Sequence, residues 1–220
     1  MASRKLNRKY YFSVEGETEQ WYLQWLQRLI NSNSSAACTV LLDARIEKDP
    51  LKRAKQITAP GKMQIWHFSD YESDSEQHRI EFKHVMDQMK KAMDAKNLTY
   101  RFGYSNLTFD LWIILHKQDC YGSLADRNQY LRHINQAYGT SFLDMTEYKH
   151  EDNFKHCLSQ LNLRNVIDAI ERAKVIVRRN RENGYTLQRY RQYGYYRENP
   201  SLDVWIAIEE ILKDCKLLRN

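Results

Sequence analysis

Four short apolar runs, each followed by a segment of helical or polar character, occupy the first hundred or so residues, and this alternation admits few folds. "KYYFSV" (9–14), "CTVLLDA" (38–44), "QIWHFSD" (64–70) and "YRFGYSN" (100–106) read as strands. Trp21, Tyr22, Trp25, Leu26, Leu29 and Ile30 recur at three-and-four spacing and predict a helix over about 18–31, with Thr18 as its N-cap. "DPLKRAKQI" predicts a brief helix opened by Pro50 and ended by "APGK", and Ile80, Val85, Met86, Met89 and Met93 predict a long one over about 76–96. Parallel neighbours need a crossover, which a helix normally supplies, so an α/β fold with a mostly parallel four-stranded sheet flanked by helices is expected.

From about residue 108 the chain reads as helical, through "TFDLWIILHK", 126–138, 153–160, 165–182 and "PSLDVWIAIEEILKDCKLL". No low-complexity linker separates the halves. An α/β core over 1–118 and a helical extension over 119–220, packed into one globule, are therefore expected.

The same text excludes several classes. No run approaches the 18 or so uncharged apolar residues of a membrane span, and "MASRKLNRKYYF" has no long apolar stretch before a cleavage site, so a cytoplasmic protein without membrane contact is expected. Cys38, Cys120, Cys157 and Cys215 stand far apart with no C-x-x-C pair, which argues against a disulfide framework or a zinc knuckle. A net charge of +6 favours an anionic partner such as nucleic acid or a nucleotide.

In an open parallel sheet the site forms at the carboxyl ends of the strands. Glu15 ends the first strand, and Asp70 and Glu72 end the third in "FSDYESD". Residues two apart on an extended backbone point the same way, so Asp70 and Glu72 are expected to share a face, joined by Glu15 if the first and third strands are neighbours. Three converging carboxylates would raise one another's pKa values, and a hard divalent cation, Mg²⁺ or Mn²⁺, would relieve this. Gly16 allows a tight turn or a close approach of a phosphate to the backbone. Ser105, Asn106, Asp110 and His116, on or after the fourth strand, border the same rim.

The run "RRNRENGYTLQRYRQYGYYRENP" interleaves arginines, Arg189 and Arg191 among them, with five tyrosines. Arginine clamps phosphates and tyrosine stacks on unpaired bases, so this is the segment best suited to nucleic acid, with Lys5, Arg8, Lys52, Arg53 and Lys55 extending the positive field. A solvated loop with structural tyrosines, or a surface for a protein partner, is the alternative.

"SVEGETEQWYLQWL" resembles the opening E-G-x-T-E-x-x-Y signature of the RloB-like family. "WHFSDYESD" stands where that family has W-x-x-x-D-x-D, "YSNLTFDLWIILHK" where it has S-N-P-x-F-E-x-W-x-x-L-H, and "AIERAK" and "NPSLDVWIAIEEIL" match its last two blocks. The resemblance implies a Toprim-like fold in which Glu15, Asp70 and Glu72 hold Mg²⁺ for phosphodiester chemistry, with Glu19 as the second signature glutamate. It further implies a nuclease acting on RNA (tRNA included) or DNA in anti-phage defence, abortive infection, under an AAA-type or ABC-type ATPase partner; the sequence leaves open whether the chain forms a homo-oligomer. A non-catalytic binding or sensor subunit is the alternative, and a primase-like enzyme is disfavoured for want of a zinc cluster. Glu72 in place of the second Asp, Leu107 in place of Pro and Asp110 in place of Glu depart from the pattern.

Overall fold

The computed structural model describes residues 5–58 and 61–219. Its centre is a sheet of β1 (Leu6–Val14), β2 (Cys38–Ile46), β3 (Met63–Tyr71) and β4 (Leu98–Asn106), ordered β2-β1-β3-β4 with every pairing parallel. Helices α1 (Glu17–Ser32), α2 (Pro50–Gln56) and α3 (Glu76–Ala95) supply the three crossovers, as the alternation predicts. Asp49 caps α2 by accepting from the Leu51 and Lys52 N–H groups, and Pro50 sits in the first turn, where it has no N–H to leave unpaired. The strand order reverses between β1 and β3. Such a reversal opens a crevice at the carboxyl ends of the two central strands.

Alternation along β3 divides the interior. Trp66 and Phe68 enter the larger core with Phe12, Tyr22 and Leu26, whereas Ile65 and Tyr71 enter a smaller one with Phe82, Met86 and Met89 of α3. The second half of the chain carries α4 (Asp110–Leu115), a 3-10 turn at Arg127–Gln129, α5 (Tyr130–Tyr138), α6 (Met145–Tyr148), α7 (Glu151–Ser159), α8 (Leu163–Glu182) and α9 (Val204–Asp214). Trp112, Ile134, Phe154, Ile170 and Ile208 place these helices in the larger core, continuous with α1.

Strand β2 lies at the sheet edge, where unpaired backbone groups invite another chain. Side chains of α1 occupy them instead. The Val40 N–H donates to Asn31 Oδ1 (2.7 Å), the Leu42 N–H to Gln27 Oε1 (2.7 Å), and Gln20 Nε2 donates to the Ala44 carbonyl (2.9 Å).

Three features differ from the sequence reading. The helix expected over 126–138 opens with the 3-10 turn and is α-helical only from Tyr130, and α6 is an additional turn. The Arg/Tyr-rich run folds as a hairpin, β5 (Gln188–Tyr190) with β6 (Tyr193–Tyr195). Its two-residue turn is Arg191-Gln192, with Arg191 at φ 52°, a left-handed conformation normally signalled by Asn or Gly. Ala59 and Pro60 of the expected "APGK" terminator lie outside the described residues. Among those described, no helix is long and apolar enough to cross a membrane.

Asp203, just before α9, makes no side-chain capping bond, and burial raises its carboxyl from 3.8 to about 7. The folded chain thus holds this proton more tightly than the unfolded chain, and stability falls as pH climbs from 3.8 towards about 7. Asp203→Asn is expected to unfold roughly 3–6 °C above wild type at pH 8 and near wild type at pH 4 in calorimetry. An equal gain at both pH values would show that ionisation of Asp203 is not responsible.

Candidate active site

Because β1 pairs with β3, with Ser13 opposite His67, their ends meet. Glu15 follows the last residue of β1, and Asp70 is next to last in β3. Glu15 Oε1 accepts from Ser69 Oγ at 2.7 Å and Glu15 Oε2 from the Asp70 N–H at 3.2 Å. Helix α1 begins at once, with Gly16 as N-cap in an extended conformation and no side-chain cap. Thr18 is thus inside the first turn and donates to Glu19 Oε2 at 3.0 Å instead of capping. A Cβ at Gly16 would stand 3.2 Å from Glu19 Oε2, so a larger residue there would have to push the Glu19 carboxylate aside. The Gly16 backbone makes no left-handed turn.

A fourth acid comes from α4. Asp110 is wholly buried, accepts from Thr108 Oγ1 at 2.7 Å and pairs with Lys149 Nζ at 3.0 Å, while its Oδ1 has no hydrogen-bond partner. Lys149 sits at the corner between α6 and α7.

These groups perturb one another. Burial, then the charges of Glu19 and Glu15, raise the Asp70 carboxyl well above its ordinary value, against the pull of Lys149. Burial raises Glu15 too, opposed by its bonds from Ser69 and Asp70 and by Lys48. Glu19 is raised by burial, and its own N–H and Thr18 work against the rise. Burial alone would push Lys149 down, but Asp110, Asp70 and Glu19 together hold it above its ordinary value. Negative charge therefore exceeds positive at this point.

Glu72 does not join that group as the spacing predicts. Strand β3 ends at Tyr71, so alternation stops before position 72, and the exposed Glu72 side chain lies near His78 Nε2 (3.6 Å) and accepts from Arg127 Nη2 (3.2 Å). It still lines, with Glu15, Lys48, Ser69 and Asp70, a cavity of about 170 Å³. Among the described residues no set of three or more His, Cys, Asp or Glu is gathered at metal-ligand spacing. In donor type and charge excess the carboxylates Glu15, Glu19 and Asp70 nonetheless suit a hard divalent cation, which takes oxygen ligands and would relieve their crowding.

Other expected site residues serve the framework. His116 is wholly buried, with Nδ1 bonded to the Trp112 carbonyl at 2.8 Å and Nε2 to Tyr22 Oη at 3.2 Å. Burial holds its pKa down at about 4, so it is a neutral packing residue and not a phosphate contact. Asn106 Nδ2 donates to the carbonyls of Tyr196, Arg197 and Glu198, holding the segment after the hairpin against β4. Ser105 is buried in an antiparallel bridge with Leu202. Leu107 takes φ 65° and donates its N–H to the Tyr71 carbonyl at 2.8 Å, which the proline of the resembling motif could not do.

In the hairpin, Tyr193, Tyr195 and Tyr196 are buried, and Tyr195 packs on Phe82 and Tyr71 with ring centroids 5.0 and 5.6 Å apart. Arg191 Nε and Tyr190 Oη both bind Asp87 of α3, at 2.7 and 3.0 Å to its carboxylate oxygens. Both expected substrate contacts of the hairpin, Arg189 and Arg191, are exposed, but Arg191 is held in an ion pair with Asp87. Arg53, expected in the positive field, is buried against Asp43 Oδ1 (2.9 Å) and the Phe12 carbonyl (3.1 Å). Lys149 and Arg127 escaped sequence reasoning: each is a single polar residue with no pattern around it, brought to the site by tertiary packing, whereas Ser69 comes with Asp70 on the same strand.

Comparison with curated proteins and with solved structures finds no match. A family model described as RloB-like protein matches residues 10–211, a span that takes in the strand-end acids, the Asp110–Lys149 pair and α8. The chain belongs to the RloB-like family.

Proposed function

We propose that this protein is a divalent-metal-dependent phosphodiesterase that cuts RNA, with tRNA as one candidate, or DNA. The observation that carries the reading is the meeting of Glu15 and Asp70 at the reversal point of a parallel sheet, with Glu19 close enough to raise the Asp70 carboxyl. Glu15, Asp70 and Glu19 would hold Mg²⁺ or Mn²⁺, with Glu72 at the rim. When bound, such an ion polarises the scissile phosphate and neutralises charge on the leaving oxygen. Ser69 and the Asp70 N–H orient Glu15 through both of its oxygens. Lys149 balances part of the acid charge from the side of Asp110. Membership of the family extends the proposal to a toxic effector of anti-phage defence, held in check by an AAA-type or ABC-type ATPase.

The test is incubation of purified protein with tRNA, single-stranded and duplex substrates in Mg²⁺, Mn²⁺ or EDTA. Metal-dependent cutting that disappears in Glu15→Ala is expected. Cutting that survives both Glu15→Ala and Asp70→Ala would reject the site.

Two observations favour a second reading, a non-catalytic binding or sensor subunit: Lys149 already supplies a cation beside the acids, and both Glu15 oxygens are engaged within the protein. On that reading millimolar Mg²⁺ leaves the unfolding temperature unchanged.

A further inference from the structure

A second and larger cavity adjoins the acids and has no part in the scheme above. It measures about 540 Å³ and is lined by Glu17 and Trp21 of α1, Arg127 of the 3-10 turn, and Thr146, Lys149 and His150 of the α6–α7 corner, with Glu151 beyond. Two side chains join it to the acid group. Lys149 reaches Asp110 at 3.0 Å, and Arg127 Nη2 donates to Glu72 at 3.2 Å. Glu72 in turn lines the 170 Å³ cavity that contains Glu15 and Asp70. The Arg127–Glu72 pair thus stands between the two spaces.

That pair is easily opened. Its side chains are 46% and 39% exposed, the kind of surface ion pair that contributes little stability. A phosphate oxygen offers Arg127 an equally good charge-assisted hydrogen bond, so exchanging Glu72 for a phosphate loses little. The lining also discriminates. Arg127, Lys149 and the His150 imidazole suit phosphate, whereas Glu17, Glu151 and the Thr146 hydroxyl suit hydroxyl and amino groups. A bare anion would meet the two carboxylates without return, but a nucleotide brings both kinds of group. The volume lies within the roughly 300–1,000 Å³ of sites that enclose small ligands.

We propose that this cleft binds the nucleotide adjoining the phosphate that lies over the acids, and that Arg127 leaves Glu72 for the nucleic-acid backbone when substrate enters. The proposal rests on the phosphodiesterase reading and deepens it by assigning the substrate's path along the surface. It places that path on the α1 and α6–α7 side, away from the Arg/Tyr hairpin, whose Tyr193 and Tyr195 are buried in the core.

The test is fluorescence anisotropy with a labelled short single-stranded oligonucleotide, RNA in one arm and DNA in the other, in EDTA so that nothing is cut. Arg127→Glu and Thr146→Trp, both at exposed positions, are each expected to weaken binding about tenfold, while Arg189→Glu on the hairpin stays within about twofold. In Arg127→Ala the slope of log affinity against log salt should fall by about one. Inorganic phosphate at matched concentration should not displace the probe. The arm that binds more tightly names the nucleic acid.

Wild-type affinity in both Arg127→Glu and Thr146→Trp overturns the proposal, as does absence of binding by the unmodified protein, displacement by phosphate alone, or a loss confined to Arg189→Glu. Circular dichroism melting of each variant guards against loss of fold, and the two substitutions act by different means, one by charge and one by filling space. Failure of the parent reading looks different: localised binding without any cleavage removes the nuclease and leaves the cleft. Cleavage with unchanged KM in both variants removes the cleft and leaves the nuclease.

Discussion

Asp70→Asn is expected to abolish cleavage and, at the same time, to stabilise the metal-free protein. Asparagine keeps the shape of the side chain but removes the charge, and the Asp70 charge is crowded by Glu19 and Glu15. Its carboxyl is pushed well up by burial and then by Glu19 and Glu15, with only Lys149 pulling the other way. Neutralising one member of a repelling group removes that repulsion, so calorimetry in EDTA above neutral pH should show an unfolding temperature higher by several degrees. The gain should shrink as pH falls, because the raised carboxyls of the wild type take up protons in the folded state and relieve themselves. Activity should move oppositely, by at least about 10²–10³-fold, as when one preorganised charge contact to a reacting group is lost. Glu15→Gln should stabilise less, since Glu15 already accepts hydrogen bonds from Ser69 and the Asp70 N–H that favour its charged form. Mg²⁺ should raise the unfolding temperature of the wild type and not of Asp70→Asn. A destabilised Asp70→Asn would mean that the acids are not repelling one another, and the functional reading would lose its physical basis.

How legible this site was depended on how local its causes are. Strand and helix alternation is written in short-range periodicity, and it placed all four strands of the sheet within a few residues. Glu15 and Asp70 followed from it, because strand ends on one edge of a parallel sheet must be neighbours once β1 and β3 pair. Glu72 was misplaced for a local reason: the extended alternation that would align it with Asp70 stops at Tyr71. The hairpin was missed because its turn is Arg191-Gln192, in place of a turn-forming pair, and is held by long-range bonds from Tyr190 and Arg191 to Asp87. Its tyrosines resemble a stacking surface in composition, and only the packing of Tyr195 against Phe82 shows them to be core. His116 likewise carries no sequence sign that Tyr22, 94 positions away, takes its second nitrogen. Lys149 is the extreme case. Its meaning lies in the carboxylates that surround it, Asp110, Asp70 and Glu19, all of them far from it in the sequence.

Lys149→Met should therefore be among the most damaging single substitutions outside the apolar core. It leaves Asp110 wholly buried, with Thr108 Oγ1 as a donor to one oxygen and nothing on the other. Removing one partner of a fully buried pair costs about 3–5 kcal/mol because the remaining charge is stranded. Here the lysine side chain is 34% exposed, so solvent softens the loss to the lower end, about 3 kcal/mol, or roughly 6–12 °C in unfolding temperature. Asp110→Asn should be milder, since Lys149 keeps Asp70 and Glu19 as neighbours and an outlet to water. The double variant Lys149→Met/Asp110→Asn should recover much of what Lys149→Met loses, because no isolated charge then remains buried. Added Mg²⁺ should raise the unfolding temperature of Lys149→Met more than that of wild type, since a bound cation would supply the charge that the ammonium had provided. If the double variant were as unstable as the sum of the two singles, the coupling between Lys149 and Asp110 would be absent. Lys149 would then be only a packed surface residue, and the charge balance at the strand ends would have to come from elsewhere.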